Sequence, residues 1–417
     1  MAKWAAFLAL LASSTVCYGQ VIDPSQDVAD RPHPEYDELG VNVGGFTLLP
    51  SLTNSVSATD NYRATEFDRK FDIEDLLRPD FTWRSNWKRH RFDGNLFIQQ
   101  SINAPLTSEN ATSFGANASV VYDISANSQI HVTGEAARLV EDRKNLNSFH
   151  NSVKPILYDD LRAQGTYSNV FDALEIQATG SIEHRVYHDA VLANGIQFSQ
   201  QFRDLRVLGF SGSAQYDLNN GMSLIVSGEH DDVRYDLGPG SPDFIPGFSL
   251  NRDSAGDDVE GGIVLQLSNL VFGTLKAGYL RRKYLDPRLT DVSGPSFTAD
   301  VLWSVTPLTS LEATARRYID ESASTLYAGN VRTDLGVKLH HELYRNLVLK
   351  AEMTYGHFTP VGAGAHGNEY SLLLGGRYRM NRRISLTGQV LYAQREANAA
   401  ELRYHSTTVN LGLKYGL

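Results

Sequence analysis

His405-Ser-Thr-Thr-Val-Asn-Leu-Gly-Leu-Lys-Tyr-Gly-Leu417 closes the chain, and from Thr408 onward its side chains alternate. Val409, Leu411, Leu413, Tyr415 and Leu417 share one face, and Thr408, Asn410, Gly412, Lys414 and Gly416 share the other. A period of two belongs to an extended strand, because successive side chains point to opposite sides; a helix needs a period near 3.6. An apolar face backed by a polar one is the pattern of a barrel strand with lipid outside and water inside. The same five apolar residues are the expected signal for the barrel-assembly machinery, with Leu417 standing where Phe is the commoner ending.

The alternation recurs upstream, as in Phe114, Ala116, Ala118, Val120 and Tyr122, or Leu174, Ile176, Ala178, Gly180 and Ile182. Eighteen segments follow it, at roughly 45–58, 71–84, 91–101, 112–123, 129–141, 158–168, 174–188, 203–217, 222–236, 255–267, 272–284, 295–305, 310–320, 328–341, 347–358, 368–378, 384–394 and 404–417. The connections alternate between tight turns, such as Asn219-Asn220-Gly221, and longer loops, such as 142–157, 189–202 and 237–254. Short turns on one rim and long loops on the other are the asymmetry of a transmembrane barrel. The expected fold is therefore all-β: an antiparallel up-and-down barrel of about 18 strands (alternative 16) with both termini periplasmic. Loops 142–157 and 237–254 are candidates to fold inward.

Aromatic residues gather at the strand ends. Trp83, Tyr122, Tyr167, Tyr216, Trp303, Tyr378 and Tyr415 lie beside tight turns; Tyr187, Tyr279, Tyr318, Tyr355 and Tyr392 lie near the opposite ends. Two interfacial belts account for this, since an amphipathic ring is stable at headgroup depth.

Residues 1–19 read as a cleaved signal peptide. Lys3 is the basic start, Trp4 to Ala12 the apolar run, and Gly19 the small residue before a cut at Gln20. That run is too short to span a bilayer as a helix. A lipoprotein anchored at Cys17 would want a small residue where Val16 stands. Residues 20–44, with Asp23, Asp27, Asp30, Glu35, Asp37 and Glu38 among prolines, read as a flexible acidic periplasmic leader. Residues 45–417 are the barrel.

Cys17 is the single cysteine of the 417 residues, so a mature chain holds no disulfide and no thiolate metal site. Taking Lys3 from the 38 basic residues leaves 37 against 48 acidic, a formal charge of −11, which speaks against nucleic acid as a partner. No Gly-x-Ser-x-Gly, His-Glu-x-x-His or phosphate-loop spacing occurs, and His340-His341 point to opposite faces of a strand. No catalytic residue, metal ligand or cofactor is predicted, and the chain reads as a non-enzyme. A barrel enzyme acting on lipid or polysaccharide is the contrasting possibility, because a Ser/His pair on neighbouring strands leaves no linear motif.

The polar face is the informative one. Arg91, Asp93, Glu175, Glu183, Glu312, Arg316, Asp334, Lys338, Lys350, Glu352, Arg377 and Lys414 are the candidate lumen residues. Both signs are present, which keeps a lumen wet and offers hydrogen bonds to hydroxyl-rich solutes. Mutual pairing that stiffens the wall is the plainer role for each of them. Eighteen strands leave an aqueous channel, whereas eight do not.

Several stretches resemble the BBP2-type β-barrel porin family, often labelled outer membrane beta-barrel protein. They are Gly45–Leu52, Asp60-Asn61, Asn251–Ser254, Tyr284–Gly294, Trp303–Thr309 and His341–Leu347. The resemblance implies an eighteen-stranded barrel in the outer membrane of a Gram-negative bacterium. It further implies passage of an exopolysaccharide or capsule-like polymer in a Wzx/Wzy-type pathway, with a periplasmic polysaccharide export protein as partner and no catalytic residues. A general diffusion porin for small solutes is the alternative that the same lumen suggests.

Overall fold

The computed structural model describes residues 26–218, 220–267, 270–322, 329–362 and 364–417. The signal peptide expected at 1–19, the first part of the leader, and Asn219 of the turn quoted above lie outside the described residues.

Eighteen long strands follow one another: β1 Phe46–Thr59, β2 Asp72–Ser85, β3 Arg91–Ala104, β4 Ala111–Asp123, β5 Ser128–Val140, β6 Leu157–Phe171, β7 Leu174–Tyr187, β8 Leu205–Asp217, β9 Met222–Tyr235, β10 Ser254–Leu267, β11 Val271–Tyr284, β12 Val292–Thr306, β13 Thr309–Glu321, β14 Gly329–Tyr344, β15 Leu347–Pro360, β16 Gly367–Arg379, β17 Ile384–Ala397 and β18 Tyr404–Gly416. Every strand pairs antiparallel with its sequence neighbour, and β18 returns to β1 in register from Ser51↔Gly416 to Thr59↔Thr408. The ladder thus closes without an edge, which satisfies the backbone inside lipid. Each of the eighteen sequence segments coincides with one strand. Several strands run about a turn's width further than the alternation alone indicated, as in β14, which continues to Tyr344.

Side-chain exposure is inverted relative to a soluble protein. Leu411 is 66%, Met353 60%, Phe210 57% and Leu374 51% exposed, all on the outward face. The buried groups are largely polar, among them Glu109, Asp160, Glu260, Arg282, Glu342 and Arg395. Apolar area that water would penalise is stable against acyl chains, while the charges are sheltered inside. The belt beside the short turns is present as expected: Trp83, Tyr122, Tyr167, Tyr216, Trp303, Tyr378 and Tyr415 share the parity of the outward leucines. The opposite belt needs correction. Tyr279, Tyr355 and Tyr392 share the outward parity, but Tyr187 lies under the Arg203 guanidinium and Tyr318 donates to Asp334 (2.9 Å), both on the inner wall. Arg203, in the turn before β8, and Arg316 of β13 capture these two rings, a pull that position along a strand does not reveal.

The leader departs from the flexible spacer its composition suggests. Val41–Val43 forms a small hairpin with β1 through Gly44 and Gly45. Gly40 then turns the chain at φ +67° and donates its N–H to the Leu417 carbonyl (2.9 Å). A Cβ at Gly40 would come within 2.7 Å of the Thr47 methyl, so this pivot requires glycine. Before it, residues 26–38 lie against the inner wall at the short-turn rim. Val28 and His33 are fully buried there, and Val28–Asp30 makes a single 3-10 turn. Low apolar content denies a segment its own core, but the barrel wall supplies one together with charge partners.

Candidate functional site: the lumen

Alternate residues of each strand make the inner wall, and all twelve sequence-predicted lumen residues stand on it, opposite in parity to the exposed apolar residues. Most are paired. Arg91 meets Asp93 (3.1 Å), Glu183 meets Arg185 (2.7 Å), Lys338 meets Glu312 (3.0 Å) and Lys350 meets Glu352 (2.7 Å). Asp334 receives Arg332 (2.8 Å) and the Tyr318 hydroxyl. Glu175 accepts from Gln177 (2.8 Å), and Arg316 lies exposed over the Tyr318 ring, 5.1 Å from its centroid. Lys414 meets Glu38 (2.7 Å), and Arg377 stands near Asp30, both acids of the N-terminal segment. Pairs spaced i, i+2 on one strand, or facing on two, hold each charge by a neighbour on the same face.

Sequence reasoning missed the densest part of the lumen, at the long-loop end. Glu109 lies wholly buried between Arg143 (2.9 Å) and Arg63 (3.1 Å), which knots the loops after β1, β3 and β5 together. Arg203 pairs with Glu141 and lies 3.9 Å from the centre of the Tyr187 ring. Arg282 joins Asp231 (2.6 Å) and Glu321 (3.2 Å), and Glu321 accepts from the Tyr235 hydroxyl (2.7 Å). Arg395, fully buried, holds Glu369 (2.7 Å). These groups belong to loops or outer strand ends, where alternation has run out. A shared parity, as in Arg332 and Asp334, was the available clue for some of them.

Loop 141–156 positions itself by this chemistry. It leaves the wall at β5, yet the Asn147 amide donates to the Glu321 carbonyl at the end of β13 (3.0 Å), and Arg395 of β17 donates to the Lys144 carbonyl. In a ring of eighteen strands, β5 and β13 are nearly opposite, so the loop crosses the lumen. Loop 237–254, the other candidate for an inward fold, is tied instead to its neighbours: Arg288 of the next loop donates to the Gly247 (3.0 Å) and Ser249 (2.5 Å) carbonyls, and Arg252 reaches Tyr235 and Ser322. Its three prolines and central glycines leave few side chains able to bond an inner wall.

Stretches that carry the family resemblance act as ties. Asn61 is fully buried and donates to the Thr65 and His405 carbonyls. Asp286 accepts from the backbone of Asn251 (2.9 Å) and pairs with Arg288 (2.6 Å); those bonds hold its carboxyl well below the ordinary range. Glu342 and Arg345 bind the N-terminal segment. The Putative beta-barrel porin 2 family model matches residues 33–416.

The chain belongs to that family.

No curated protein matches this porin. Solved barrels overlap it loosely. OccK8 (OprE) of Pseudomonas aeruginosa shares 9% identity at a TM-score of 0.44, covering 90% of this chain and 98% of its own. OccK2 (OpdF) of the same organism, in complex with glucuronate, shares 10% at 0.46, covering 89% and 98%. The siderophore receptor PirA, also from that organism, shares 6% at 0.44, covering 88% and 80%. Overlaps of this size carry no inference about a solute. The family and the closed eighteen-stranded ring together make the protein a porin-like β-barrel of the Gram-negative outer membrane.

One pair has the form of a nucleophile and base: Ser119 Oγ and His131 Nε2 stand 2.9 Å apart on the inner wall. Among the described residues no carboxylate bonds the other ring nitrogen, so the orienting third group of a hydrolase is wanting. Also among the described residues, no three His, Cys, Asp or Glu side chains stand together as a metal site.

Proposed function

We propose that this porin is a diffusion channel for small hydrophilic solutes. Loop 141–156 carries the proposal, because a segment bonded across the lumen from β5 to β13 and β17 divides an opening that eighteen strands would otherwise leave wide. A constriction lined by fixed charges passes small solutes through weak, multiple contacts and rejects large ones. The wall of paired Arg, Lys, Asp and Glu needs no chemistry to do this.

Export of an exopolysaccharide or capsule-like polymer, implied by the family resemblance, asks for a path that a long sugar chain can thread. Loop 141–156 and the N-terminal segment both stand in such a path, which weighs toward small solutes. A periplasmic export protein as partner belongs to that second reading.

Reconstitution tests the choice. In proteoliposomes, uptake should fall steeply from a pentose to a trisaccharide, and deletion of the gene should leave surface polysaccharide unchanged. Loss of surface polymer on deletion, with no sugar uptake in proteoliposomes, would overturn the proposal in favour of export.

A further inference from the structure

The acids of residues 26–38 lie against basic side chains of the wall beneath them. Asp27 meets His340 (2.8 Å), Glu35 meets Arg345 (3.3 Å) and Glu38 meets Lys414 (2.7 Å). Asp30 lies in the field of Arg377, and Asp37 in that of Arg379. Each acid of the segment thus faces a basic side chain of β14, β16, β18 or the turn after β14. The wall carries an excess of positive charge just here, because Arg377 and Arg379 share one face of β16 and Arg382 follows in the next turn, donating to the Pro34 carbonyl (3.1 Å). Like charges two residues apart on one face repel and call for an anion.

The wall is also shaped for the segment. Register shifts at Ser304/Thr306 and Glu342/Tyr344 interrupt the ladders at the ends of β12 and β14. Ser304 accepts from Arg31, and Glu342 meets His33 (3.2 Å). Gly416 leaves the space that the Glu38 carboxyl fills.

The pairs nearest the open mouth are weak. Glu35 and Arg345 are 43% and 47% exposed, and exposed ion pairs contribute little net stability. A solute that presents two or three carboxylates together can offer the same cations the same partners.

We propose that the periplasmic mouth is a binding site for a polycarboxylate solute, which the acidic N-terminal segment occupies until the solute displaces it. The segment acts as a tethered competitor, and its effective concentration at the site sets how much free anion is needed. The inference rests on the porin reading for its purpose but not for its test.

Calorimetry on the purified, refolded full barrel, with citrate as the probe, reads binding without any conduction. The variant Asp27→Asn, Asp30→Asn, Glu35→Gln, Asp37→Asn, Glu38→Gln should bind citrate at least roughly tenfold more tightly than the unaltered protein. A second variant, Glu38→Cys with Lys414→Cys, fixes the segment by a disulfide when oxidised. It should bind citrate roughly tenfold more weakly oxidised than reduced. Heat-modifiable gel mobility verifies that each barrel is closed. Equal citrate affinity in all four samples, or no binding in any, overturns the proposal. Citrate binding by a barrel that passes no solute would sink the porin reading and leave this one standing.

Discussion

Asp204, just before β8, shows how one carboxyl can govern a loop. It accepts the Tyr187 N–H (2.7 Å) and is pushed up to about 6, chiefly by burial, with the Asp236 charge adding to the shift. A folded value above the unfolded one means that the folded loop binds the proton more tightly. The stabilisation is complete below the unfolded value near 4 and is lost as pH rises through about 6. Hydrogen exchange of loop 188–204, corrected for intrinsic rates, should therefore slow as pH falls from 7 to about 4. Asp204→Asn keeps the acceptor without the charge and should abolish that dependence. At Gly40 the backbone rather than a charge decides. Gly40→Val places a branched side chain at φ +67° and against Thr47, a cost of about 1–3 kcal/mol. Exchange across residues 27–38 should accelerate in that variant while the strands stay protected. Asp204 and Gly40 were both invisible as key residues in the sequence. The burial of the one and the clash at the other arise from strands distant in the chain.

Strands were the most legible elements, because alternation in β18, β4 or β7 needs no knowledge of neighbours. Each stands on lipid-facing residues that a single charge would upset. Leu411→Arg puts a guanidinium among acyl chains about midway along β18 and should cost about 2–4 kcal/mol. Asn410→Ala, one residue along and facing the lumen, removes only a bond to Ser57 (2.8 Å) and should cost about 1 kcal/mol. Equilibrium refolding into vesicles across a urea series separates the two. The reading of Val409, Leu411, Leu413, Tyr415 and Leu417 as the assembly signal is a further proposal with its own measurement. Polar substitution of Leu413 and Tyr415 should slow insertion by purified assembly machinery more than insertion into thin synthetic bilayers; equal slowing in both would rule the signal out. Loops were far less legible than strands. Composition marked 237–254 and 142–157 alike as inward candidates, and the second is the one whose Asn147 amide and Lys144 carbonyl find partners across the ring, at Glu321 and Arg395.

For the whole molecule, the chief consequence is a lumen filled at two levels by segments that belong to no strand. Replacing residues 142–154 by a short Gly-Ser linker should raise single-channel conductance several-fold, since crossing bonds to Glu321 and Arg395 would go with it. Unchanged conductance would place the constriction elsewhere.

The sequence by itself determined the class of fold, the strand number, and the alternation of apolar and polar faces along each strand. Parity along an extended chain is local, and membrane burial makes it strict. Only the tertiary structure decided which charges pair, which loop crosses the ring, and that an acidic leader rests on a basic rim. Those outcomes depend on closure, which brings β18 beside β1 and sets β5 across from β13; no local pattern of residues encodes the distance across a closed barrel.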